Sequence, residues 1–370
     1  MSPTPGDRTR VLVLIKGLGL GGAESLIAES APLWDTESFE YRVVYLLPWK
    51  DQLVENLNEV GVSVTCVDWR GPTSIGGMRR LRKVMVTWEP EIIHSHLPVA
   101  GILARGLATR SRQVYTEHNV VDFYRQPTRS LNRATYWRND AVIAVSDSVA
   151  NSISGYPGPE PTVIPNGVSV HQPDPSTLAS VRRELEIDES TPLVVHVGNI
   201  RPHKGHDNLI DAAKLLMDIR PEAVTVSIGG EKNAGDLGRV RQRADSLGLS
   251  DRIRFLGRRG DAHSFLAAAD VVVNPSDVEG LPLVILEALA FARPVVATDV
   301  GGVSSVVRHH ETGILVKPGD PAGLAEAIAL ALDSAEARNW GRAGSKLIAD
   351  RHGLATMVAG YESVYRGLIT

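Results

Sequence analysis

The stretch VLVLIKGLGLGGAES, residues 11–25, decides the fold because it places a buried strand, a glycine-rich turn and a helix in immediate succession. Residues 11–15 are all apolar, which is typical of a parallel strand whose two faces are covered by helices. Gly17, Gly19 and Gly22 follow with the spacing of a dinucleotide-binding loop, and an amphipathic stretch comes next. This order predicts a doubly wound α/β domain that binds its ligand at the carboxyl ends of the strands.

The same alternation of apolar runs and helical stretches continues along the chain, with one interruption. In the first half, β-rich runs lie at 11–15, 42–46, 62–67, 92–94, 114–116, 141–145 and 162–164. A proline-rich segment at 163–180 predicts a linker, and the pattern restarts at 192–200, 223–230, 252–257, 270–276, 293–299 and 313–318. The sequence therefore predicts two doubly wound, Rossmann-like domains facing each other across a cleft. We place them at 1–170 and 180–354, with a final helix at 355–370 packing back on the first domain.

The composition fits two ordinary globular domains and disfavours several other classes of protein. The chain has 370 residues, 43% of them apolar, and a formal net charge of −4. This length exceeds a single core, and the charge argues against a general nucleic-acid binder. Cys66 is the one cysteine, so no internal disulfide forms, which is typical of a reducing compartment. Because the apolar run at 11–15 is too short for a signal peptide or a membrane span, we expect a cytoplasmic protein.

The glycine loop lacks the acidic partner that a dinucleotide site requires. Such a site needs an acidic residue at the end of the second strand to hold the ribose hydroxyls. Here the second strand ends in Leu46, Leu47 and Pro48, so NAD or FAD is a poor candidate ligand. What remains is that Gly21 and Gly22 allow backbone amides and the following helix to approach an anion closely.

A second candidate site lies at NPSDVEGLPLVILEALA, residues 274–290. The break after Glu279 predicts a loop there and a helix that begins near Pro282, because proline is tolerated in a first turn. Glu287 then lies more than one turn into that helix, so both carboxylates could reach one ligand. Free amides of the first turn would lie between them and favour a phosphate. Spacing alone fits two solvated surface glutamates equally well.

The segment EGLPLVILE, residues 279–287, resembles the E-x7-E element of the retaining glycosyltransferases of family 4, which have the GT-B fold. The resemblance extends in order along nearly the whole chain: GGAE at 21–24, HSHLPVAG at 94–101, YTEHN at 115–119, VIAVSDSV at 142–149, VIPNGV at 163–168, VGNIRPHKG at 197–205 and VGG at 300–302. It implies transfer of a sugar, with retained configuration, from a UDP- or GDP-sugar to an acceptor hydroxyl. Glycan, glycolipid or polysaccharide biosynthesis is the implied setting, with an acceptor-binding first domain and a donor-binding second domain.

The same resemblance implies roles for particular residues. Glu287 would bind the donor ribose, Glu279 the donor sugar, and His118 would sit beside the transferred sugar. Lys204 and Arg201 would neutralise the leaving diphosphate, and these two with His118 and Glu279 form the implied catalytic set. The implied donor site comprises Gly21, Gly22, Asn199, Arg201, Lys204, Glu279, Gly280, Leu281, Leu283, Val284 and Glu287. Asn199 stands where many relatives have arginine, so we expect Arg201 to supply the missing guanidinium.

The implied chemistry needs neither a protein nucleophile nor a cofactor. In enzymes of this type the leaving phosphate can take the acceptor's proton, whereas ordinary glycosidases use a flanking carboxylate pair. The sequence has no D-x-D motif, so nothing in it requires a metal. Two alternatives stay open: a GT-B sugar-nucleotide epimerase, which uses no acceptor, and a catalytically silent nucleotide-sugar-binding protein.

Basic residues in the first half suggest a surface for an anionic partner. Arg79, Arg80, Arg82 and Lys83 fall within one predicted helix. Over the range 125–138, arginines at 125, 129 and 133 would form one stripe on a helix, interleaved with Phe123, Tyr124, Tyr136 and Trp137. Such faces, Arg79–Lys83 and Arg125–Arg138, could contact anionic lipid at the inner face of a membrane or a lipid-linked acceptor. A solvated basic face and a small-molecule acceptor remain equally open.

Overall fold

The computed structural model describes residues 8–107, 110–169, 174–231 and 233–369. The chain forms two compact units. The first contains the residues up to Gly167 together with those from Leu354 onward, and the second runs from Val168 to Gly353. The chain therefore enters the second unit a few residues before the boundary expected from the sequence, and it returns to the first unit for its last helix.

The first unit is built on a seven-stranded parallel sheet with strand order β3-β2-β1-β4-β5-β6-β7. Its strands are β1 Thr9–Ile15, β2 Phe39–Tyr45, β3 Ser63–Cys66, β4 Ile92–His96, β5 Arg112–Glu117, β6 Ala141–Ala144 and β7 Pro161–Val163. Its helices up to residue 152 are α1 Gly22–Ser30, α2 Val54–Glu59, α3 Ile75–Trp88, α4 Pro98–Gly106, α5 Thr128–Thr135 and α6 Asp147–Ser152. Each strand predicted in this half is confirmed, with ends that shift by a few residues.

The second unit repeats this architecture with a six-stranded parallel sheet in the order β10-β9-β8-β11-β12-β13. The strands are β8 Leu193–Val197, β9 Val224–Ile228, β10 Ile253–Gly257, β11 Val271–Asn274, β12 Val295–Thr298 and β13 Gly313–Val316. The helices are α7 Pro175–Glu184, α8 His206–Ile219, α9 Asp236–Ser246, α10 Ala262–Ala268, α11 Leu283–Ala290, α12 Pro321–Asp333 and α13 Ala337–Arg351. The prediction of two Rossmann-like α/β sheets is therefore confirmed.

Burial explains why β1 is apolar at every position from Val11 to Ile15. On one side of the first sheet, Leu12 and Leu14 of β1 pack in a core with Leu81 of α3 and Ala104 of α4. Alternate residues of a strand face opposite sides, so Val13 faces the other side. That side is covered by α14, Leu354–Ile369, whose Tyr365 hydroxyl lies 2.6 Å from Nδ1 of His94.

The prediction of a linker over 163–180 is wrong at its carboxyl end, because α7 begins at Pro175. Oδ1 of Asp174 accepts the backbone N–H of Ser176 at 3.0 Å, which caps the helix. Proline has no N–H to satisfy at the first helical position. Asp174 and Pro175 therefore start a helix, although their composition indicated a linker.

The prediction of one basic stripe along a helix over 125–138 is also wrong. The helix α5 begins only at Thr128, so Arg125 lies outside it. Arg129 pairs with Asp122 at 2.6 Å, and the guanidinium of Arg133 lies 5.3 Å from the centre of the Tyr156 ring. These side chains serve local contacts and do not form one charged face. In the described part of the chain, no helix is long and apolar enough to cross a membrane.

Candidate active site

The segment between β11 and α11 holds the two glutamates singled out by their spacing. Glu279 lies on the connecting loop, and α11 begins at Leu283, with Pro282 as the residue before its first turn. The helix start therefore lies within one residue of the expected position. Gly280 and Leu281 are buried in the loop, whereas Leu283 and Val284 are half-buried in the first turn. N–H groups of a first turn have no acceptor within their own helix, so they are available to an anion.

The carboxylate of Glu279 is nearly buried and is held by two donors. Its Oε1 accepts from Nζ of Lys204 at 2.6 Å and from the hydroxyl of Ser276 at 2.7 Å. Lys204 ends a short 3-10 turn after β8, and its side chain is 24% exposed against 8% for Glu279. Since β8 and β11 are neighbours in the sheet, the fold brings together a lysine and a carboxylate that are 75 residues apart.

The glycines after β12 support the backbone of the same loop. Gly301 has a φ of +57°, and a Cβ at this position would collide with the carbonyl oxygen of Glu279. The N–H of Gly302 donates to the carbonyl of Gly280 at 2.6 Å. The VGG segment at 300–302 therefore holds the backbone of the Glu279 loop in position beyond the strand ends.

Glu287 lies on α11 and faces a neighbouring helix. Its carboxylate is 3.3 Å from Nε2 of His263 on α10, and its side chain is 17% exposed. The two glutamates thus have different surroundings, one beside a lysine and one beside a histidine.

Asn199 and Arg201 follow β8 and play different structural parts. Oδ1 of Asn199 accepts the backbone N–H of Gly230 at 3.1 Å, so its amide joins the segments after β8 and β9. Nε of Arg201 is buried and has no hydrogen-bond partner among the described residues. A buried donor without an acceptor is costly, so a bound anion would stabilise this guanidinium. The arrangement is compatible with the role expected for Arg201. The side-chain oxygen of Asn199 is instead engaged by the backbone of Gly230.

In the first unit, the glycine loop ends in the cap of a helix. Gly21 is the residue before α1 in an extended conformation, and Gly22 is the exposed first residue of that helix. The carboxylate of Glu24 folds back so closely that a Cβ on Gly21 would lie 2.5 Å from its Oε2. The carboxylate of Glu24 therefore occupies the space that a side chain at Gly21 would need, whereas Gly22 remains exposed.

His118 lies just after β5 in a buried cluster of polar groups. Its Nε2 is 3.0 Å from Nδ1 of His96, which ends β4. Burial lowers the pKa of His118 to about 4, so the ring is neutral near pH 7 and can both donate and accept a hydrogen bond. His118 is thus a neutral hydrogen-bonding group at the carboxyl edge of the first sheet.

Glu117 fixes the backbone of His118, although the sequence analysis did not single it out. Its Oε1 accepts the N–H of His118 at 3.0 Å, its Oε2 accepts the hydroxyl of Tyr115 at 2.6 Å, and Tyr124 also donates to it. Desolvation by burial raises the pKa of Glu117 to about 6, and the hydrogen bonds oppose that shift. A carboxylate directly before the histidine in YTEHN was the available signal.

Two known protein families match the chain, one in each half. The family described as "Glycosyltransferase Family 4" matches residues 20–172, and the family described as "Glycosyl transferases group 1" matches residues 179–347. The chain belongs to glycosyltransferase family 4.

Individual relatives of this family 4 glycosyltransferase agree with that membership. It is 26% identical over 320 residues to the N-acetyl-alpha-D-glucosaminyl L-malate synthase of Bacillus anthracis, covering 83% of each chain. It is 31% identical over 251 residues to the putative teichuronic acid biosynthesis glycosyltransferase TuaC of Bacillus subtilis, covering 65% of this chain and 60% of that one. The crystal structure of Anabaena Alr3699/HepE in complex with UDP-glucose superposes with a TM-score of 0.87 at 22% identity, covering 97% of this chain and 100% of that one. This likeness shows the fold, which is GT-B.

Two residues of the glycosyltransferase's candidate site carried no recognisable signal in the sequence. Ser276 is a small polar residue three positions before Glu279, and only its 2.7 Å hydrogen bond reveals its part. His263 comes from α10, which is separated from Glu287 by a whole strand and loop. The contact of His263 depends on how two neighbouring helices pack, and that of Ser276 on the local course of one loop.

Proposed function

We propose that this glycosyltransferase transfers a sugar from a nucleoside diphosphate sugar, UDP- or GDP-linked, to an acceptor hydroxyl with retained configuration. The observation that carries the proposal is the Lys204–Glu279 pair, whose Nζ–Oε1 distance is 2.6 Å, beside the first turn of α11. The orphaned Nε of Arg201 adds a second cation on the same unit. Two cations and a helix N-terminus form a suitable setting for a diphosphate.

We assign the donor site to the second unit and the acceptor site to the first. In the donor site, Glu287 binds the ribose hydroxyls and Glu279 binds hydroxyls of the donor sugar. Backbone amides of Gly280, Leu281, Leu283 and Val284 bind the sugar and the diphosphate. In the first unit, we assign Gly21, Gly22 and neutral His118 to the binding of substrate.

The proposed reaction proceeds without a protein nucleophile. The bond between the anomeric carbon and the diphosphate oxygen breaks, and the acceptor oxygen bonds to that carbon on the same face. The acceptor's proton passes to a diphosphate oxygen. Lys204 and Arg201 stabilise the charge that grows on the diphosphate, so the step requires no metal. Glu279 already accepts hydrogen bonds from Lys204 and Ser276, which suits a positioning group better than a nucleophile.

The names of similar proteins support the substrate classes. The Anabaena structure contains UDP-glucose, which supports a UDP-sugar donor. TuaC is named for teichuronic acid biosynthesis, and the Bacillus anthracis relative for a small hydroxy acid. We therefore propose glycan, glycolipid or polysaccharide biosynthesis, with a lipid-linked or small-molecule acceptor.

The donor class is testable by thermal stabilisation with UDP, GDP, ADP and NAD at equal concentration. A ligand that binds only the folded protein raises its melting temperature by mass action. We expect one nucleoside diphosphate to stabilise the protein and NAD to have no effect. Glu287→Ala removes a charged hydrogen-bond acceptor, so its affinity for that nucleotide should fall by roughly 10- to 100-fold.

Glu326→Ala is the matched control, because Glu326 is an exposed glutamate on α12 of the same unit. Unchanged nucleotide affinity in Glu287→Ala would contradict the ribose assignment, and stabilisation by NAD alone would contradict the transferase. Product analysis separates the two remaining alternatives. Only a transferase forms a new glycoside when acceptor is supplied, whereas an epimerase changes the nucleotide sugar and a silent binding protein does neither.

We also propose peripheral contact of the first unit with an anionic membrane, at the cytoplasmic side, through α3. The exposed side of α3 carries Ile75 and Val86, which are 65% and 59% exposed, together with Arg79, Arg82 and Lys83. No acidic residue occurs in α3. Arg80 is different, since its guanidinium donates to backbone carbonyls of residues 67 and 68. The range 125–138 contributes mainly the exposed Trp137.

Co-sedimentation with phosphatidylglycerol-containing vesicles tests this contact. The combined change of Arg79, Arg82 and Lys83 to serine should weaken vesicle binding roughly 100-fold, since each basic residue near such a surface contributes about 1 kcal/mol. The matched control changes Arg338, Arg342 and Lys346 on α13 to serine. These residues are exposed, and their replacement removes the same number of positive charges. Equal losses in both variants, or no binding by the wild type, would refute a specific role for α3.

A further inference from the structure

The loop at 47–53 presents an exposed tryptophan on a firmly anchored backbone. Trp49 is 57% exposed and follows β2 at the carboxyl edge of the first sheet. The carbonyl of Lys50 accepts the N–H of Leu18 at 2.7 Å, and the N–H of Leu53 donates to the carbonyl of Leu18 at 2.9 Å. The N–H of Leu47 also donates to the carbonyl of Lys16 at 3.1 Å, so the backbone is anchored before and after Trp49. An exposed indole on an anchored backbone is available to bind a ligand.

Lys50 extends across the glycine loop. A Cβ on Gly17 would lie 2.6 Å from Cδ of Lys50, so the missing side chain at Gly17 makes room for the lysine stem. In the ranges that the structure describes, no carboxylate lies within 4.0 Å of the Lys50 ammonium, since none of the ion pairs there includes it. A lysine whose stem is packed and whose charge has no carboxylate partner is available to pair with an anionic ligand.

The strand order places this pair beside the other candidate groups of the first unit. Along the carboxyl edge, the loop after β2 is followed by the glycine loop after β1, then by His96 at the end of β4 and His118 after β5. The direction of strand addition reverses between β1 and β4, and α/β sheets bind ligands at such a reversal. Strands lie about 4.8 Å apart, so the distance from β2 to β5 is roughly 14 Å, enough for a small sugar or sugar phosphate.

We infer that Trp49 and Lys50 form the acceptor-binding subsite and select an acceptor that carries an anionic group. The indole of Trp49 packs against the carbon skeleton of the acceptor, and the ammonium of Lys50 pairs with its phosphate or carboxylate. This inference rests on the transfer reaction proposed above and specifies its acceptor. Nothing in it concerns the donor, so the two proposals fail in different experiments.

Matched acceptors test the inference with the full-length protein and the nucleotide sugar that stabilises it. The probes are glucose against glucose 6-phosphate and glucuronate, and glycerol against glycerol 3-phosphate. Transfer is read from formation of the new glycoside, and inhibition of donor hydrolysis from the fall in free sugar released. We expect the charged member of each pair to have its effect at a concentration at least 10-fold lower than the neutral member. Phosphates and carboxylates form separate arms, which identify the anionic group.

Variants separate the two contacts. Lys50→Met should reduce the preference for charged probes to near unity. The control Lys346→Met on α13 should leave both that preference and donor hydrolysis unchanged. Trp49→Ala should raise KM for charged and neutral probes alike. Trp49→Phe, which keeps an aromatic ring, should raise KM much less. The inference is wrong if neutral probes act as well as charged ones, if no charged probe changes either rate, or if Lys50→Met keeps the preference. If the wild type neither hydrolysed the donor nor was stabilised by a nucleotide, that result would contradict the proposed function instead.

Discussion

Replacement of Lys204 by methionine is expected to lower kcat/KM for sugar transfer by roughly 10²- to 10³-fold. Removal of one preorganised group that stabilises transition-state charge typically has an effect of this size. Methionine keeps the length of the stem and removes the ammonium that lies 2.6 Å from Glu279. The variant also leaves a nearly buried carboxylate without its cation, so the free energy of unfolding should fall by about 1–3 kcal/mol.

A double variant separates these two effects. Glu279→Gln combined with Lys204→Met removes both charges, so stability should partly return while transfer stays impaired. Arg239→Met is the control, because Arg239 pairs with Asp207 at 2.9 Å on the exposed surface of the same unit, where an ion pair contributes little. If the double variant also regained transfer activity, Lys204 would act only by neutralising Glu279. Steady-state kinetics and thermal unfolding of the four proteins decide the matter.

Gly301→Ala is expected to destabilise the second unit by about 3 kcal/mol and to abolish most transfer. Alanine at a φ of +57° costs about 1 kcal/mol, and the added methyl group would also collide with the carbonyl oxygen of Glu279. Because that carbonyl belongs to the loop that carries the carboxylate, relief of the collision would move Glu279 away from Lys204. A loss of this size corresponds to roughly 10 °C in melting temperature for a unit of this length.

Gly319→Ala provides the comparison for Gly301→Ala. Gly319 has a φ of +70°, and no atom lies within 4 Å of the position its Cβ would take. This variant therefore carries the backbone strain without the collision, and we expect a loss of about 1 kcal/mol with normal transfer. Similar melting temperatures for the two variants would show that the Glu279 loop yields easily, contrary to the support described for it.

Much of the fold could be predicted because parallel sheets leave a strong imprint on local sequence. A strand such as β1, covered on both sides, is apolar at every position from Val11 to Ile15, and β6 is apolar throughout as well. The loop position of Glu279 followed from Gly280 and Pro282 by the same local reasoning. These features depend on residues that are close in sequence.

The failures share a different cause. The linker was placed over 163–180 from its prolines, yet the capping oxygen of Asp174 turns Pro175 into a helix start. The prediction of a basic stripe failed because two of its arginines contact residues outside the predicted helix. Arg129 pairs with Asp122, and Arg133 lies over the ring of Tyr156. His263 was missed because its partner Glu287 lies on another helix, whereas Ser276 and Glu117 were missed although their partners are close in sequence. Side-chain contacts of this kind are set by packing, which periodicity does not report.

Because α14 follows the second unit in the chain, the two units are completed at different times during synthesis on the ribosome. Tyr365 bonds to His94 and Glu362 to Tyr41, over separations of 271 and 321 residues. The second unit is one continuous segment, so all its residues are available while the translating ribosome still lacks the helix that the first sheet needs. Until that helix is made, the part of the first sheet that it covers stays open to water, and the nascent chain is most prone to aggregate there. The half of the protein that is made first is therefore the half that is completed last.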